Sequence, residues 1–289
     1  MAVKAKQFSK KFSHSKSGNF LNFFILLVVA IFMVVPFLFT IGNAFKPLDE
    51  QFLYPPSIFP KVPTLQNFFS VSSLMRESWV PFSRYLFNSV FITAVGTFFH
   101  VIVSSLGAYA VAKFEFPGKK AFFELVVVSL LFNSAVTAIP NYLIMSKLGM
   151  IDTNLAIILP AIGSSLGFFL MKQFMEQMIP DAMIEAAQID GAAGWTIFMR
   201  IVMPIVKPAW LTLIIFSFQN LWNTAGGNFI FEESLKTLPH ALSNIVAGGV
   251  SRTGSAAAVA LIMVIPPVVV FVASQSNVIE TMGSSGLKE

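Results

Sequence analysis

Six long apolar runs alternate with polar segments along the chain, and each run predicts a membrane-spanning helix. A helix needs about 20 mostly apolar residues to cross a bilayer, and it satisfies its backbone hydrogen bonds internally. The runs cover Phe20–Ala44, Tyr85–Ala112, Ala121–Met145, Asn154–Met171, Ile205–Trp222 and Ser255–Ser274. The pattern therefore predicts an all-α membrane protein with six transmembrane helices and with both termini on the same side.

The segments between and around these runs complete the organisation. Residues 1–19 form an amino-terminal tail, residues 20–274 the transmembrane domain and residues 275–289 a carboxy-terminal tail. The loop Lys46–Arg84 is rich in proline and aromatic residues, so it is too apolar for a disordered linker and is expected to pack on the outer face of the bundle. A second long outer loop, Asn223–Gly254, is rich in glycine and asparagine.

The positions of the lysines orient the predicted helices in the membrane. The tail ahead of the first run carries five of them, namely Lys4, Lys6, Lys10, Lys11 and Lys16. The short loop Lys113–Lys120 carries three lysines, whereas the short loop Ser146–Thr153 carries one. Because lysine and arginine are enriched in cytoplasmic loops, both termini and residues 180–204 are predicted to be cytoplasmic.

Composition narrows the classes of function. Hydrophobic residues make up 55% of the chain and charged residues 11%, whereas soluble domains carry about 25% charged residues. The chain has no cysteine and three dispersed histidines (His14, His100 and His240), so no disulfide, thiolate or metal site is predicted. The net charge of +5 follows from the tail lysines and indicates no nucleic-acid partner. No catalytic constellation and no phosphate-binding loop of the Walker A type is present.

A polar, helix-prone segment, Pro180–Pro204, separates the fourth and fifth runs. Asp181 is predicted to cap a helix or to lie in its first turn, and Gly191 to end that helix in the left-handed conformation. Three alanines at helical spacing predict a face that a partner surface can approach closely. They are Ala182, Ala186 and Ala187.

The second half of this segment predicts another short helix. Asp190 is expected to cap it, and it is expected to run through Arg200 and to end at Pro204. An amphipathic face of the kind found at membrane interfaces is predicted for it. That face consists of Trp195, Phe198 and Val202.

The same segment contains a spaced motif: Glu185-Ala186-Ala187, three residues, Gly191, nine residues, and Ile201-Val202-Met203-Pro204. The motif resembles the cytoplasmic EAA loop of permease subunits of ABC importers, with Met203 where leucine is usual. The alternative interpretation is an ordinary amphipathic connector on the membrane surface. The resemblance implies that the residues that contact the ATPase are Glu185, Ala186, Ala187, Asp190, Gly191 and Pro204.

The order of the runs and loops extends the resemblance to the whole chain. It is similar to the second permease subunit of carbohydrate importers of the maltose-permease type, with type I ABC importer architecture, in the bacterial cell (inner or plasma) membrane. The segment Asn43–Phe69 and the tail Gly283–Lys288 resemble a subgroup that imports plant-polysaccharide oligosaccharides such as rhamnogalacturonan fragments. The tail lacks the glycine- and alanine-rich composition usual in maltose-type relatives.

The resemblance also implies partners. They are a paralogous permease subunit, two ATPase subunits that bind ATP and Mg²⁺, an extracytoplasmic solute-binding protein, membrane lipid and an oligosaccharide substrate. This chain itself would be a non-catalytic permease without a cofactor.

Polar residues inside apolar runs mark either a solute path or hydrogen bonds between helices. The outer half of the fifth run carries the candidates for a carbohydrate path, Gln219, Asn220, Trp222 and Asn223. For Asn88 and His100 we expect bonds between helices, and for Lys120 and Glu124 an ion pair on one helix face. The rival function is a stand-alone secondary transporter or channel for a small polar solute, disfavoured because no charged residue lies at mid-membrane in any run.

Overall fold

The computed structural model describes residues 16–76 and 79–285, and every regular element in these ranges is helical. The α-helices are α1 (Lys16–Phe45), α2 (Leu48–Gln51), α3 (Gln66–Arg76), α4 (Phe82–Lys113), α5 (Lys119–Ser129), α6 (Ser134–Lys147), α7 (Leu155–Ile162), α8 (Ser165–Met178), α9 (Asp181–Ile189), α10 (Gly194–Ile197), α11 (Met203–Ile205), α12 (Lys207–Trp222), α13 (Leu238–Ala247) and α14 (Thr253–Ser285). A π-helical turn covers Phe198–Val202, and 3₁₀ turns cover Glu233–Leu235 and Val250–Arg252. The tail residues Lys4, Lys6, Lys10, Lys11 and Lys288 lie outside the described residues.

Four helical stretches are long and apolar enough to cross a membrane: Gly18–Phe45, Phe82–Lys113, Leu155–Met178 and Val250–Ser274. A fifth arises if Gly194–Ile205 and Lys207–Trp222, which meet at an angle of 77°, are counted as one span. These stretches coincide with five of the six predicted runs. Helix α4 lies at the centre of the bundle and packs against α7, α8 and α12.

The third run, Ala121–Met145, does not form one continuous helix. Helix α5 ends at Ser129 and α6 begins at Ser134. The side chain of Asn133 accepts a hydrogen bond from the Ala135 N–H (2.9 Å) and so caps α6. Because the asparagine side chain accepts this backbone N–H in place of a helical carbonyl, it favours the start of a new helix inside an otherwise apolar run.

The outer loop after α1 packs on the bundle, as its composition predicts. Asn67 on α3 donates to the carbonyl oxygens of Ala44 (2.9 Å) and Lys46 (2.7 Å) at the end of α1. The Glu50 carboxylate accepts the Lys61 N–H (2.7 Å). Because these partners are backbone groups, the loop has a fixed path over the C-terminal end of α1.

Several side chains tie the second outer loop to the bundle, among them Asp152 and Asn88. The Asp152 carboxylate accepts the N–H groups of Phe231 (2.5 Å) and Glu232 (2.8 Å). Asn88 on α4 donates to the carbonyls of Ser234 (2.8 Å) and Lys236 (2.9 Å). The prediction that Asn88 bonds a neighbouring span is therefore wrong: its amide binds loop backbone, because the loop reaches the N-terminal part of α4.

Gly42 shows how closely the first outer loop approaches α1. A β-carbon at this position would lie 1.8 Å from the Ile58 carbonyl oxygen, so any larger residue must displace loop backbone. We expect Gly42→Ala to lower the stability of the purified chain by about 1–3 kcal/mol, the usual cost of overpacking. The midpoint of thermal unfolding in detergent measures this change.

Gly18→Ala in the same helix is the matched control, because a β-carbon there has no atom within 4 Å. Alanine also favours helix over glycine by about 1 kcal/mol. Equal unfolding midpoints for the two variants would contradict the close approach at Gly42.

Candidate functional site

Helix α9 projects one face into the bundle and the other outward. Ile184 and Ala187 are buried in a hydrophobic cluster with Met175 and Val202. The outward face includes Ala182, Glu185, Ala186 and Ile189, of which Ile189 is 87% exposed. Ala187 therefore does not belong to the predicted partner-facing alanine surface, because its methyl group packs against the chain's own core. We call residues 181–199 the inner hook.

The turn after α9 is a Schellman motif. The Gly191 N–H donates to the Gln188 carbonyl (3.0 Å) and the Ala192 N–H to the Ala187 carbonyl (3.0 Å), the bond pattern of this C-cap. Gly191 has φ 77°, which confirms the predicted left-handed stop. Asp190 is the C-cap of α9, whereas Ala193 is the N-cap of α10. The prediction that Asp190 caps the second helix is therefore wrong, because the Schellman turn uses two further residues.

Asp181 fixes the start of α9 to the inner end of α4. It lies in the first turn of α9, as predicted, but Pro180 is the N-cap. Its carboxylate pairs with Lys113 (2.7 Å), and the Lys113 ammonium also donates to the Ile179 carbonyl (2.5 Å). The hydrogen bond and charge of Lys113 lower the pKa of Asp181. A mostly buried lysine side chain thus joins the inner hook to the central helix.

The second half of the segment forms one helical stretch, Gly194–Ile205, as predicted, with a π-helical turn at Phe198–Val202. Phe198 and Val202 are buried, whereas Trp195 is 63% exposed, so the predicted aromatic face is divided between the core and the surface. The helix does not end at Pro204, because α11 continues to Ile205. The 77° bend follows at Val206, next to Pro208, which has no N–H to continue the helical ladder.

At the opposite end of α12 a cavity of about 540 Å³ opens between α12, α8 and α4. Three predicted path residues line it: Gln219, Asn220 and Asn223. The other polar side chains on its wall are His100, Ser164, Ser217 and Thr224. Among the described residues none that lines this cavity carries a carboxylate, an ammonium or a guanidinium. We call it the outer groove.

The structure separates Trp222 from the other path candidates. Its side chain is 2% exposed, stacks on Phe218 (ring centroids 5.7 Å apart) and donates its indole N–H to the Met263 carbonyl (2.8 Å). The tryptophan therefore joins α12 to α14 and does not line the outer groove. Its position two residues from Asn220 places it on another side of the helix.

The sequence did not predict Ser164 and Ser217 as path residues, and it predicted for His100 only a hydrogen bond between helices. Nδ1 of His100 lies 3.1 Å from the Ile162 carbonyl, so the predicted bond between spans is confirmed. The same ring also lines the outer groove. Ser164 lies between α7 and α8. In the sequence, the Gly163-Ser164 pair inside the fourth apolar run could have indicated that the helix is interrupted there.

The Schellman turn generates a test of the inner hook. A β-carbon on Gly191 meets no atom within 4 Å, so the cost of substitution comes from φ alone. We expect Gly191→Val to release the last turn of α9 and to speed amide exchange at Ala192 about tenfold, since the left-handed conformation costs a side chain about 1–2 kcal/mol. Hydrogen exchange with mass spectrometry measures the rate.

Gly191→Asn is the matched variant, because asparagine tolerates this conformation. It is expected to retain protection close to that of the native chain. Equal exchange in both variants would show that the turn does not depend on a left-handed residue.

Comparison with known proteins places this geometry in a family. No family model matches the chain. It is 32% identical over 203 residues (69% of this chain, 67% of the relative) to the polygalacturonan/rhamnogalacturonan transport system permease protein YtcP of Bacillus subtilis. It is 28% identical over 268 residues (90% and 93%) to the arabinooligosaccharides transport system permease protein AraQ of Halalkalibacterium halodurans. It is also 30% identical over 235 residues (79% and 83%) to the sn-glycerol-3-phosphate transport system permease protein UgpE of Shigella flexneri.

Two solved structures share the fold. A chain of a bacterial ABC transporter involved in the import of the acidic polysaccharide alginate aligns with a TM-score of 0.77 and 21% identity, covering 91% of this chain and 98% of that one. A chain of the alginate ABC transporter in complex with an alginate pentasaccharide-bound periplasmic protein aligns with a TM-score of 0.62 and 15% identity, covering 90% and 93%. Together with the two relatives at 30% identity or more, the inner hook and the apolar helical bundle lead to one conclusion: the chain belongs to the permease family of ABC transporters.

Proposed function

We propose that this chain is the permease subunit of an ATP-driven importer of oligosaccharides and that the outer groove is its share of the translocation path. The observation that supports this proposal most is the wall of the outer groove. It consists of uncharged side chains that can form hydrogen bonds, among them Gln219, Asn220, Asn223, Ser164 and Ser217. Amides and hydroxyls can replace the water bound to sugar hydroxyls without the cost of burying a charge. The names of the arabinooligosaccharide and rhamnogalacturonan relatives support this substrate class.

The depth of the groove supports a role in translocation. Asn220 lies 13 residues beyond Lys207, the first residue of α12, which corresponds to about 20 Å of helix. The hydrocarbon core is about 30 Å thick, so Asn220 would lie past its middle on the outer side. Polar side chains at this depth are costly unless they face an aqueous path or a partner.

Coupling to ATP hydrolysis is assigned to the inner hook. The outward face of α9 presents the Glu185 carboxylate together with Ala186 and the exposed Ile189, a small and partly apolar surface for a docking protein. We infer that two ATPase subunits bind there, and that ATP and Mg²⁺ belong to them. Closure of the ATPases would favour the outward-facing bundle through a difference in affinity between the two states.

We propose six crossings with both termini in the cytoplasm. Helices α5 and α6 together would form the third crossing, since Lys119–Lys147 spans enough helical length despite its break. The lysine-rich loop Lys113–Lys120 then lies inside with the inner hook, to which Lys113 is bonded. The cytoplasmic tails at residues 1–19 and 275–289 belong to the same proposal.

The remaining partners follow from exposed surfaces. In the 28-residue apolar stretch Gly18–Phe45 the most apolar window has no buried residue, which suits a second, paralogous permease packed against it in the bacterial cell membrane. The outer loops would receive an extracytoplasmic solute-binding protein, by analogy with the complex that the alginate transporter forms. The subgroup that imports plant-polysaccharide fragments remains the proposed substrate class.

Substitution in the outer groove tests the path. We expect Asn220→Leu to lower sugar uptake by reconstituted importer about threefold to tenfold, because one hydrogen bond to the sugar is lost. Asn228→Leu, an exposed outer-loop asparagine outside the groove, is the control. Initial uptake rates in proteoliposomes, compared at equal complex yield, measure the effect.

Normal uptake by Asn220→Leu would remove this residue from the path. Uptake by the chain without any ATPase would instead favour a stand-alone secondary transporter or channel.

Charge reversal on the inner hook tests coupling. We expect Glu185→Lys to reduce the amount of ATPase that co-purifies with the chain at least about tenfold, since like charges or unmatched groups at an interface cost several kcal/mol. Glu232→Lys, which changes another exposed carboxylate on the outer loop, is expected to leave co-purification unchanged. Quantitative gel analysis of tagged complexes gives the ratio; native ATPase yield with Glu185→Lys would refute the coupling role.

A further inference from the structure

The large cavities of the bundle differ in the chemistry of their walls. At the inner end, a cavity of about 740 Å³ is lined by lysines and glutamates, and a salt bridge in its wall joins Lys119 to Glu115 (2.7 Å). The predicted ion pair of Lys120 with Glu124 is not formed. At the outer end, a cavity of about 480 Å³ lies beside the outer groove, and the described residues that line it are uncharged. We call this second cavity the side chamber.

The side chamber adjoins the outer groove. The residues that line both cavities are Ala161, Ser164, Asn220 and Thr224. Each volume lies within the range of about 300–1,000 Å³ that is usual for sites of small ligands. The two cavities together therefore offer space for a longer ligand than the outer groove alone.

The wall of the side chamber combines aromatic rings with hydroxyl groups. Phe132, in the break between α5 and α6, is 59% exposed, and Phe229 in the second outer loop provides another ring. The hydroxyl groups belong to Ser129, Thr137, Ser164 and Thr224. A sugar ring has C–H groups on its faces and hydroxyl groups around its edge. A mostly apolar wall with a few polar groups is therefore suited to bind it.

One segment of the second outer loop covers the side chamber. We call residues 226–232 the covering loop, and three of its residues line the chamber: Gly226, Gly227 and Phe229. The two glycines have φ of 91° and 54°, a conformation that residues with a side chain rarely adopt. They turn the chain so that Phe229 reaches the chamber wall.

Asp152, in the connection between α6 and α7, holds the covering loop in place. Its carboxylate accepts the N–H groups of Phe231 and Glu232, and its own N–H donates to the Phe229 carbonyl (2.9 Å). The Phe229 ring also stacks on Tyr142, with ring centroids 6.4 Å apart. In the described part of the chain, Asp152 is the one residue other than glycine with positive φ (58°). Aspartate is among the few residue types that tolerate this conformation.

We propose that the side chamber is a further subsite for the oligosaccharide and that Asp152 is the positioning residue of its covering loop. This inference rests on the proposed function of the outer groove. One end of the sugar chain lies in the outer groove against Asn220, and the rings that follow lie against Phe132. The importer should therefore distinguish oligosaccharides by the number of their units.

The test compares two lengths of one sugar in proteoliposomes that hold the complete importer. Initial uptake rates are measured for arabinooligosaccharides of four units and of two units, and their ratio is the readout. The same solute-binding protein delivers both sugars to every variant, so a change in the ratio reports on the permease. We expect Phe132→Ala to lower the ratio about threefold to tenfold, the usual contribution of one aromatic contact.

Leu131→Ala is the matched control. Leu131 lies next to Phe132 in the same break and is 81% exposed, but it does not line the side chamber. This variant is expected to keep the native ratio. Because Phe132 and Leu131 are both exposed, neither substitution removes a side chain from the core.

Two variants of Asp152 test the positioning role. Asp152→Gly removes the carboxylate but permits positive φ, and it is expected to lower the ratio as Phe132→Ala does. Asp152→Asn keeps an acceptor oxygen and tolerates this conformation, so it should restore most of the ratio.

A native ratio in both Phe132→Ala and Asp152→Gly would overturn the subsite, and so would an equal fall in the uptake of both sugars. Failure of the native importer to take up either sugar would instead contradict the proposed function.

Discussion

The constraint on which this structure depends is that a helix cannot break inside a membrane unless another group binds the backbone that the break releases. Three predicted runs are interrupted, and each interruption has such a partner. Asn133 binds the Ala135 N–H between α5 and α6, His100 contacts the Ile162 carbonyl between α7 and α8, and the Trp210 indole donates to the Met203 carbonyl (3.1 Å) at the bend before α12. Each interruption thus replaces a lost helical bond with a polar side chain from its own or a neighbouring element.

These interruptions lie where the molecule is proposed to act. The break between α7 and α8 brings Ser164 to the outer groove, and the bend at Val206 turns the inner hook away from α12. Helix α12 runs between the two sites, with Trp210 bonded towards the hook and Asn220 in the groove. A displacement of the hook would therefore reach the groove through one helix, which gives the coupling a physical route.

The sequence predicted those features that depend on local chemistry or on the mean hydropathy of about 20 consecutive residues. Five apolar runs, the left-handed turn at Gly191 and the packed loop after α1 are of this kind. The direction of each side chain was harder to predict, because it depends on which neighbour arrives. Trp222 has one polar atom and the ring of a sugar-stacking residue, yet α14 covers it. Ala187 and its neighbour Ala186 are the same residue type, yet Ala187 is buried in the core and Ala186 is exposed. The interrupted third run was missed since a hydrophobic average does not register one capping asparagine.

The two faces of α9 are under different physical constraints. Ile184 and Ala187 must fit the interior of their own chain, so substitutions there are judged by folding. Glu185, Ala186 and Ile189 are exposed, so the packing of this chain places little restriction on them. Under the proposed coupling, a permease of this design could therefore be matched to a different ATPase by changes at a few surface positions of one short helix. The same bundle would then serve different motors without being rebuilt.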